Sequence, residues 1–236
     1  MDETRPGFAD AWAGADRIEG WLTRPQAALL YDETAALRPG STVVEIGSHL
    51  GRSTLLIASS LPDEGLLTAV DPFLTSWRYA VPDAEEQLHA LLDEHRLSRR
   101  VRVRPVTSAQ ARSEWSGSID LLYVDGGHGY RTVVDDLEWA MFVPEGGHIL
   151  VHDAFSSVGV TLALLPRLTL GSALRYTSRT GSLAVLEAGR PTGRGRLRPW
   201  REIPWFARNV LVKMLLRLHA VRLAGLLGHS GAADPY

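Results

Sequence analysis

The chain contains no cysteine. Disulfides, thiolate nucleophiles and cysteine-ligated zinc are therefore excluded, and any metal must be held by carboxylate, imidazole or water. There is also no uninterrupted apolar run approaching the roughly 20 residues that a membrane span requires. The first residues, MDETRPGFADAW, are acidic and lack the basic-then-apolar pattern of a signal peptide, so a cytoplasmic location is expected. No internal repeat divides the chain into similar units.

What is present suits a folded enzyme. The 236 residues are 45% hydrophobic and 22% charged, enough for one domain with a substantial core and some decoration. The net charge of -2 hides an asymmetry: residues 1–189 carry 16 basic and 25 acidic side chains, net -9, whereas residues 190–236 carry 9 and 2, net +7. An acidic body argues against nucleic acid as a substrate. The cationic tail suits phosphates, anionic lipid or the acidic body itself.

Apolar periodicity and punctuation predict alternating elements. A helix over residues 25–37 ends at ArgProGly; strands are expected at 42–46, 66–70, 101–106, 119–124 and 148–151; helices at 51–60, 83–96 and 130–142 lie between them. That order implies a doubly wound α/β domain with a mostly parallel sheet, helices on both faces and ligands at the carboxyl ends of the strands. A final pair, 174–177 and 182–186, suits an antiparallel hairpin edge. The expected organisation is an N-terminal helical segment over 1–40, the catalytic domain over 41–188, a basic linker over 189–204, an amphipathic helix over 205–228 and a tail over 229–236.

The turn after the first strand, VEIGSHLGRST from Val44 to Thr54, carries the clearest chemistry. Gly47 allows a sharp turn, Gly51 a close approach of ligand or sheet, and the following helix offers free N–H groups. Glu45 stands at the strand's carboxyl end, able to receive a cationic or hydrogen-bonding ligand. Asp71, in LLTAVDPF, lies where a carboxylate grips the ribose hydroxyls of an adenine nucleoside. NAD is the natural rival, but the turn reads GSHLG, with His49 where the dinucleotide fingerprint has its middle glycine.

VEIGSHLGRST, AVDPF, LLYVDGGHGYRTVVDDL and GGHILVHDA together resemble the class I methyltransferases of the Methyltransferase_24 type, over about residues 20–186. The resemblance implies a Rossmann-like sheet and S-adenosylmethionine as cofactor. It puts Glu45, Gly47 and Gly51 near the cofactor's amino-acid portion, with Ser48 of the same turn among the binding residues. Asp71 then belongs to the ribose, and Ser108 in VTSAQA to the adenine end. Relatives include O-methyltransferases of sugars and other hydroxylated natural products, some of which need magnesium.

Asp125 in YVDGGHGY and His152 and Asp153 in ILVHDAF end adjacent strands, so they should meet at the ligand edge. Asp125, His152 and Asp153 offer donors for a divalent cation. In the metal-dependent relatives the matching positions are mainly carboxylates, and His152 weakens the magnesium case or shifts preference toward manganese or another imidazole-tolerant ion. The bland alternative is that the two aspartates cap helices while His128 and His152 satisfy buried backbone groups. His128 also suits a general base that takes a hydroxyl proton during methyl transfer, with Asp125 beside the chemistry. Asp135 and Asp136 are read as first-turn carboxylates of the helix starting near Tyr130. Trp21 is either a lid over the cofactor or a packed aromatic.

From Trp205 to Leu227 the spacing predicts one helix, with Val210, Leu211, Met214, Leu218 and Val221 as an apolar stripe flanked by Arg208, Lys213, Arg217 and Arg222. Docking on the domain, homo-oligomer formation and peripheral contact with an inner membrane surface all remain open. The function expected is O-methylation of a sugar, glycan precursor or natural product, with or without the assistance of a divalent metal. The rivals are metal-free N- or O-methylation of a small molecule and a catalytically idle nucleoside-binding scaffold.

Overall fold

In the computed structural model, which describes residues 5–75, 80–171 and 173–229, strands and helices alternate from residue 42 onward. Two helices precede them, α1 (Phe8–Ala15) and α2 (Arg24–Ala35). The start of α2 is fixed by a capping box between Thr23 and Gln26, with Pro25 in the first turn, where no intrahelical N–H is needed. Then come β1 (Thr42–Ile46), α3 (Arg52–Ser60), β2 (Leu66–Val70), α4 (Ala84–Glu94), β3 (Val101–Arg104), α5 (Ser108–Ser113), β4 (Leu121–Val124) and α6 (Tyr130–Asp136). The chain continues through β5 (His148–Val151), α7 (Val158–Thr169), β6 (Leu174–Thr180), β7 (Leu183–Ala188), α8 (Ile203–Arg217) and α9 (Val221–Leu226).

The seven strands form one sheet in the order β3-β2-β1-β4-β5-β7-β6. The first five run parallel, and β7 inserts antiparallel between β5 and β6. The winding therefore reverses at β1 and β4, the place where an open α/β sheet leaves a crevice.

Alternation along the strands builds two cores. Val44, Ile46, Leu122, Val124, Ile149 and Val151 face a layer that includes α6 and α7. Val43, Leu67, Leu121, Tyr123 and Leu150 face α1, α2 and α3. Glu45 shares the second face with Tyr123, its cross-strand partner.

Several expectations need correction. The helix foreseen over 130–142 is α only to Asp136 and continues as a 3-10 helix, Leu137–Phe142. Asp135 and Asp136 thus end α6 rather than begin it, where the dipole disfavours anions. Arg112 offsets the first, donating to both the carbonyl and the carboxylate of Asp135. Asp136 is buried, and that burial raises its carboxyl to about 6. The stretch read as a basic linker contains a 3-10 helix, Gly195–Glu202. The tail helix is two helices, broken where His219 takes a left-handed φ of 58°. Two helices went unforeseen, α5 and α7. The tail's residues 230–236 lie outside the described residues.

Candidate active site

The turn after β1 is shaped by what cannot fit there. Gly47 has a φ of 92°, and a Cβ on it would lie 2.2 Å from the carbonyl oxygen of Asp125. Only glycine lets this turn and the end of β4 touch. Gly51, also left-handed, opens α3, and its bare Cα is covered by Leu88 and Leu91 of α4 rather than by sheet. His49 occupies a left-handed conformation with φ 47°, performing with a side chain what a glycine would do. The ring of Trp21 lies against it, 5.9 Å between centroids.

Glu45 is fully buried, and its two oxygens accept from the hydroxyls of Ser48, Ser53 and Thr54. Burial raises this carboxyl to about 7, with the three hydroxyls pulling the other way. The carboxylate therefore fastens the turn to the first turn of α3. Asp71, at the end of neighbouring β2, accepts from the backbone N–H of His49 at 2.9 Å and of Phe73 at 2.8 Å. Ser108 sits in the first turn of α5, capped by Thr107, and its hydroxyl accepts from the indole of the buried Trp139.

Beyond β4 and β5 the sheet brings Asp125, His128, His152 and Asp153 together. Tyr123, two residues upstream on the same face, donates its hydroxyl to Asp125 at 2.8 Å. His152 Nδ1 lies 3.2 Å from Asp125 Oδ1 and 3.7 Å from Asp153 Oδ2. His128 Nε2 lies 2.8 Å from Asp153 Oδ2. Half of the His128 side chain is exposed, whereas His152 and Asp153 are buried. The hydrogen bond to Asp153 raises the His128 imidazole above its usual range. Burial works against a charged His152, yet the carboxylates of Asp125 and Asp153 outweigh it and raise that imidazole as well. Asp153 is driven well below the ordinary carboxylate range, its burial overcome by the two imidazoles. Two imidazoles thus face two carboxylates, which is more than helix capping requires.

Donor atoms of Asp125, His152 and Asp153 lie within 4.8 Å of one another, close enough for one divalent ion to bridge. The backbone here is strained: Asp153 and Phe155 have φ of 56° and 57°.

With this geometry in view, residues 44–154 match a family model described as a methyltransferase domain. That stretch, just under half of the chain, is similar to a methyltransferase domain. Solved structures share its fold. A Klebsiella pneumoniae protein described as an O-methyltransferase is 18% identical with a TM-score of 0.60, covering 78% of this chain and 91% of that one. A Bacillus cereus O-methyltransferase in complex with S-adenosylhomocysteine is 15% identical with a TM-score of 0.59, covering 80% and 94%. TomG from Streptomyces achromogenes, an O-methyltransferase of tomaymycin synthesis in complex with S-adenosylmethionine, is 16% identical with a TM-score of 0.58, covering 77% and 89%.

Three features around the candidate site escaped the sequence reading. Gly159, in the first turn of α7, packs so closely that a Cβ would stand 2.1 Å from the carbonyl oxygen of His128. From α8, Asn209 donates to the carbonyl of Phe155 at 3.2 Å and Lys213 to that of Ser156 at 2.9 Å, clamping the strained loop that carries Asp153. Asp136 Oδ2 and His152 Nε2, both buried without a hydrogen-bond partner, line one small cleft with Gly126 and His128. Of these, His128 and His152 are singled out by YVDGGHGY and ILVHDAF, whereas Asp136 reads in the sequence as a structural helix carboxylate.

Proposed function

We propose that this chain is an S-adenosylmethionine-dependent methyltransferase acting on a hydroxyl oxygen of a small acceptor, a sugar, glycan precursor or similar natural product. The observation that carries the reading is the His128–Asp153 pair, its imidazole half open to solvent in the loop whose start packs on Gly47. When bound, S-adenosylmethionine supplies an activated methyl group, whose carbon bonds to the acceptor oxygen as the carbon–sulfur electron pair leaves with sulfur. The turn at Gly47 and Ser48 and the carboxylate of Asp71 would hold the cofactor, with Ser108 at its adenine end. His128 donates Nε2–H to Asp153, which leaves Nδ1 to take the acceptor's hydroxyl proton and lets Asp153 stabilise the resulting imidazolium. The rest is alignment of oxygen, carbon and sulfur, a matter of positioning.

The donor set of Asp125, His152 and Asp153 fits an imidazole-tolerant divalent ion such as manganese better than magnesium. An ion there would polarise the acceptor hydroxyl. The metal-free reading rests on the same residues, because two imidazoles already balance two carboxylates. Calorimetry with S-adenosylmethionine, S-adenosylhomocysteine and NAD tests the cofactor: saturable binding of NAD alone would overturn the proposal. Turnover after exhaustive EDTA treatment separates the two modes, since full activity would leave Asp125 and His152 as positioners of substrate.

A further inference from the structure

The structure beyond β7 has two unlike sides. The inner side of α8 buries Asn209 and Val212 and reaches the loop after β5. Its outer side is an unbroken apolar line, Pro204, Ala207, Leu211, Met214 and Leu218, at spacings of three and four residues. Leu218 is 71% exposed and Met214 53%. Leu197 and Trp200, in the 3-10 helix just before, are 65% and 53% exposed. The core lies on the other side, so folding alone does not account for these side chains.

We infer that this face docks the protein on an anionic membrane surface. The same segment carries the exposed side chains of Arg194, Arg196, Arg198, Arg201, Arg217 and Arg222. Glu202 is the one acidic residue among the described residues of this segment. Its carboxylate is turned inward, accepting from Tyr176 at 2.8 Å and Arg179 at 2.6 Å. The outward field is therefore positive without local compensation, while the catalytic body is net acidic. Aliphatic chains entering the headgroup boundary between arginines that snorkel to phosphate is the arrangement of an interfacial helix. No helix among the described residues is long and apolar enough to cross a membrane, which fits a helix lying in the surface plane.

Two other occupants fit less well. A two-fold contact with a second copy would press one arginine-rich rim against another with no acidic side chain of the described residues facing outward between them, a like-charge cost at the rim. A nucleic acid would satisfy the arginines but leave Leu211, Met214 and Leu218 in water.

Flotation of the full chain with vesicles of phosphatidylglycerol and of phosphatidylcholine tests the inference. The protein should rise with the anionic vesicles and remain behind with the zwitterionic ones, and added salt should weaken the association. The pair Leu211→Asn with Leu218→Asn and the pair Arg217→Glu with Arg222→Glu should each lower vesicle affinity by at least about tenfold. Melting temperature and S-adenosylhomocysteine affinity should stay unchanged, because these side chains point away from the body. Should the leucine pair disturb the tail's folding, the arginine pair and the salt titration still decide. Equal flotation with both vesicles, no flotation, or flotation that neither pair alters would overturn the inference. So would a dimer, seen by sedimentation, that the leucine pair disperses, or RNA binding that survives the leucine pair.

Discussion

His128 and Glu45 show how one sheet edge gives two titratable groups opposite surroundings. His128 is half exposed and paired with Asp153, and the proposed function gives it the role of general base. His128→Ala should lower kcat by roughly 10²- to 10⁴-fold, the range for losing acid–base catalysis, with S-adenosylmethionine affinity little changed. Steady-state kinetics beside calorimetry would check this. Recovery of turnover with excess metal would instead make the imidazole a ligand. Glu45 is sealed in and holds the hydroxyls of Ser48, Ser53 and Thr54. Its carboxyl rises from 4.5 to about 7 on burial, so between those values the folded chain keeps a proton that the unfolded chain has lost. Its contribution to stability is accordingly best below about pH 4.5 and declines as pH rises toward 7, by about 3 kcal/mol in all. Urea titrations across that window should show the decline in the native chain and a flatter profile for Glu45→Gln. Identical slopes in both would mean that the carboxylate is not the buried group that governs this range.

At the scale of elements, α7 packs against the loop that carries His128. Gly159→Ala would improve helix propensity by about 1 kcal/mol, yet the new methyl has no room against the carbonyl of His128. Overpacking of this kind costs about 1–3 kcal/mol and shifts backbone. We expect lower stability in denaturant titration together with at least about a tenfold loss of kcat, and a stabilised, fully active variant would refute the close packing. Sequence alone located β1, β2 and β5 to the residue, because short β-branched runs between glycine and proline have few other readings. It also foresaw that Asp125, His152 and Asp153 would meet, since parallel neighbours end side by side. α7 was invisible for a physical reason: VGVTLALLPRLT is apolar nearly all round and carries Pro166, so its periodicity is faint. α5 is six residues long, too short to show a period. The clamp from Asn209 and Lys213 depends on tertiary docking, which no local pattern encodes.

Across the whole molecule, a net-acidic body and a net-cationic tail meet at the loop after β5. Removing residues 203–236 should strip the carbonyls of Phe155 and Ser156 of their partners and release the left-handed backbone at Asp153 and Phe155. Each lost hydrogen bond of this kind is worth about 0.5–3 kcal/mol. The shortened chain should melt earlier and lose kcat by about tenfold or more, while its affinity for S-adenosylhomocysteine changes little, because the turn after β1 lies outside the clamp. Equal losses in both quantities would show that the tail supports the whole sheet instead. Gly47 sets a different kind of limit. Any side chain there would strike the carbonyl of Asp125, so the turn that the proposed function gives to the methyl donor and the loop it gives to the acceptor share one wall. Neither has slack of its own, and any lineage that remodels one of them must carry the other along.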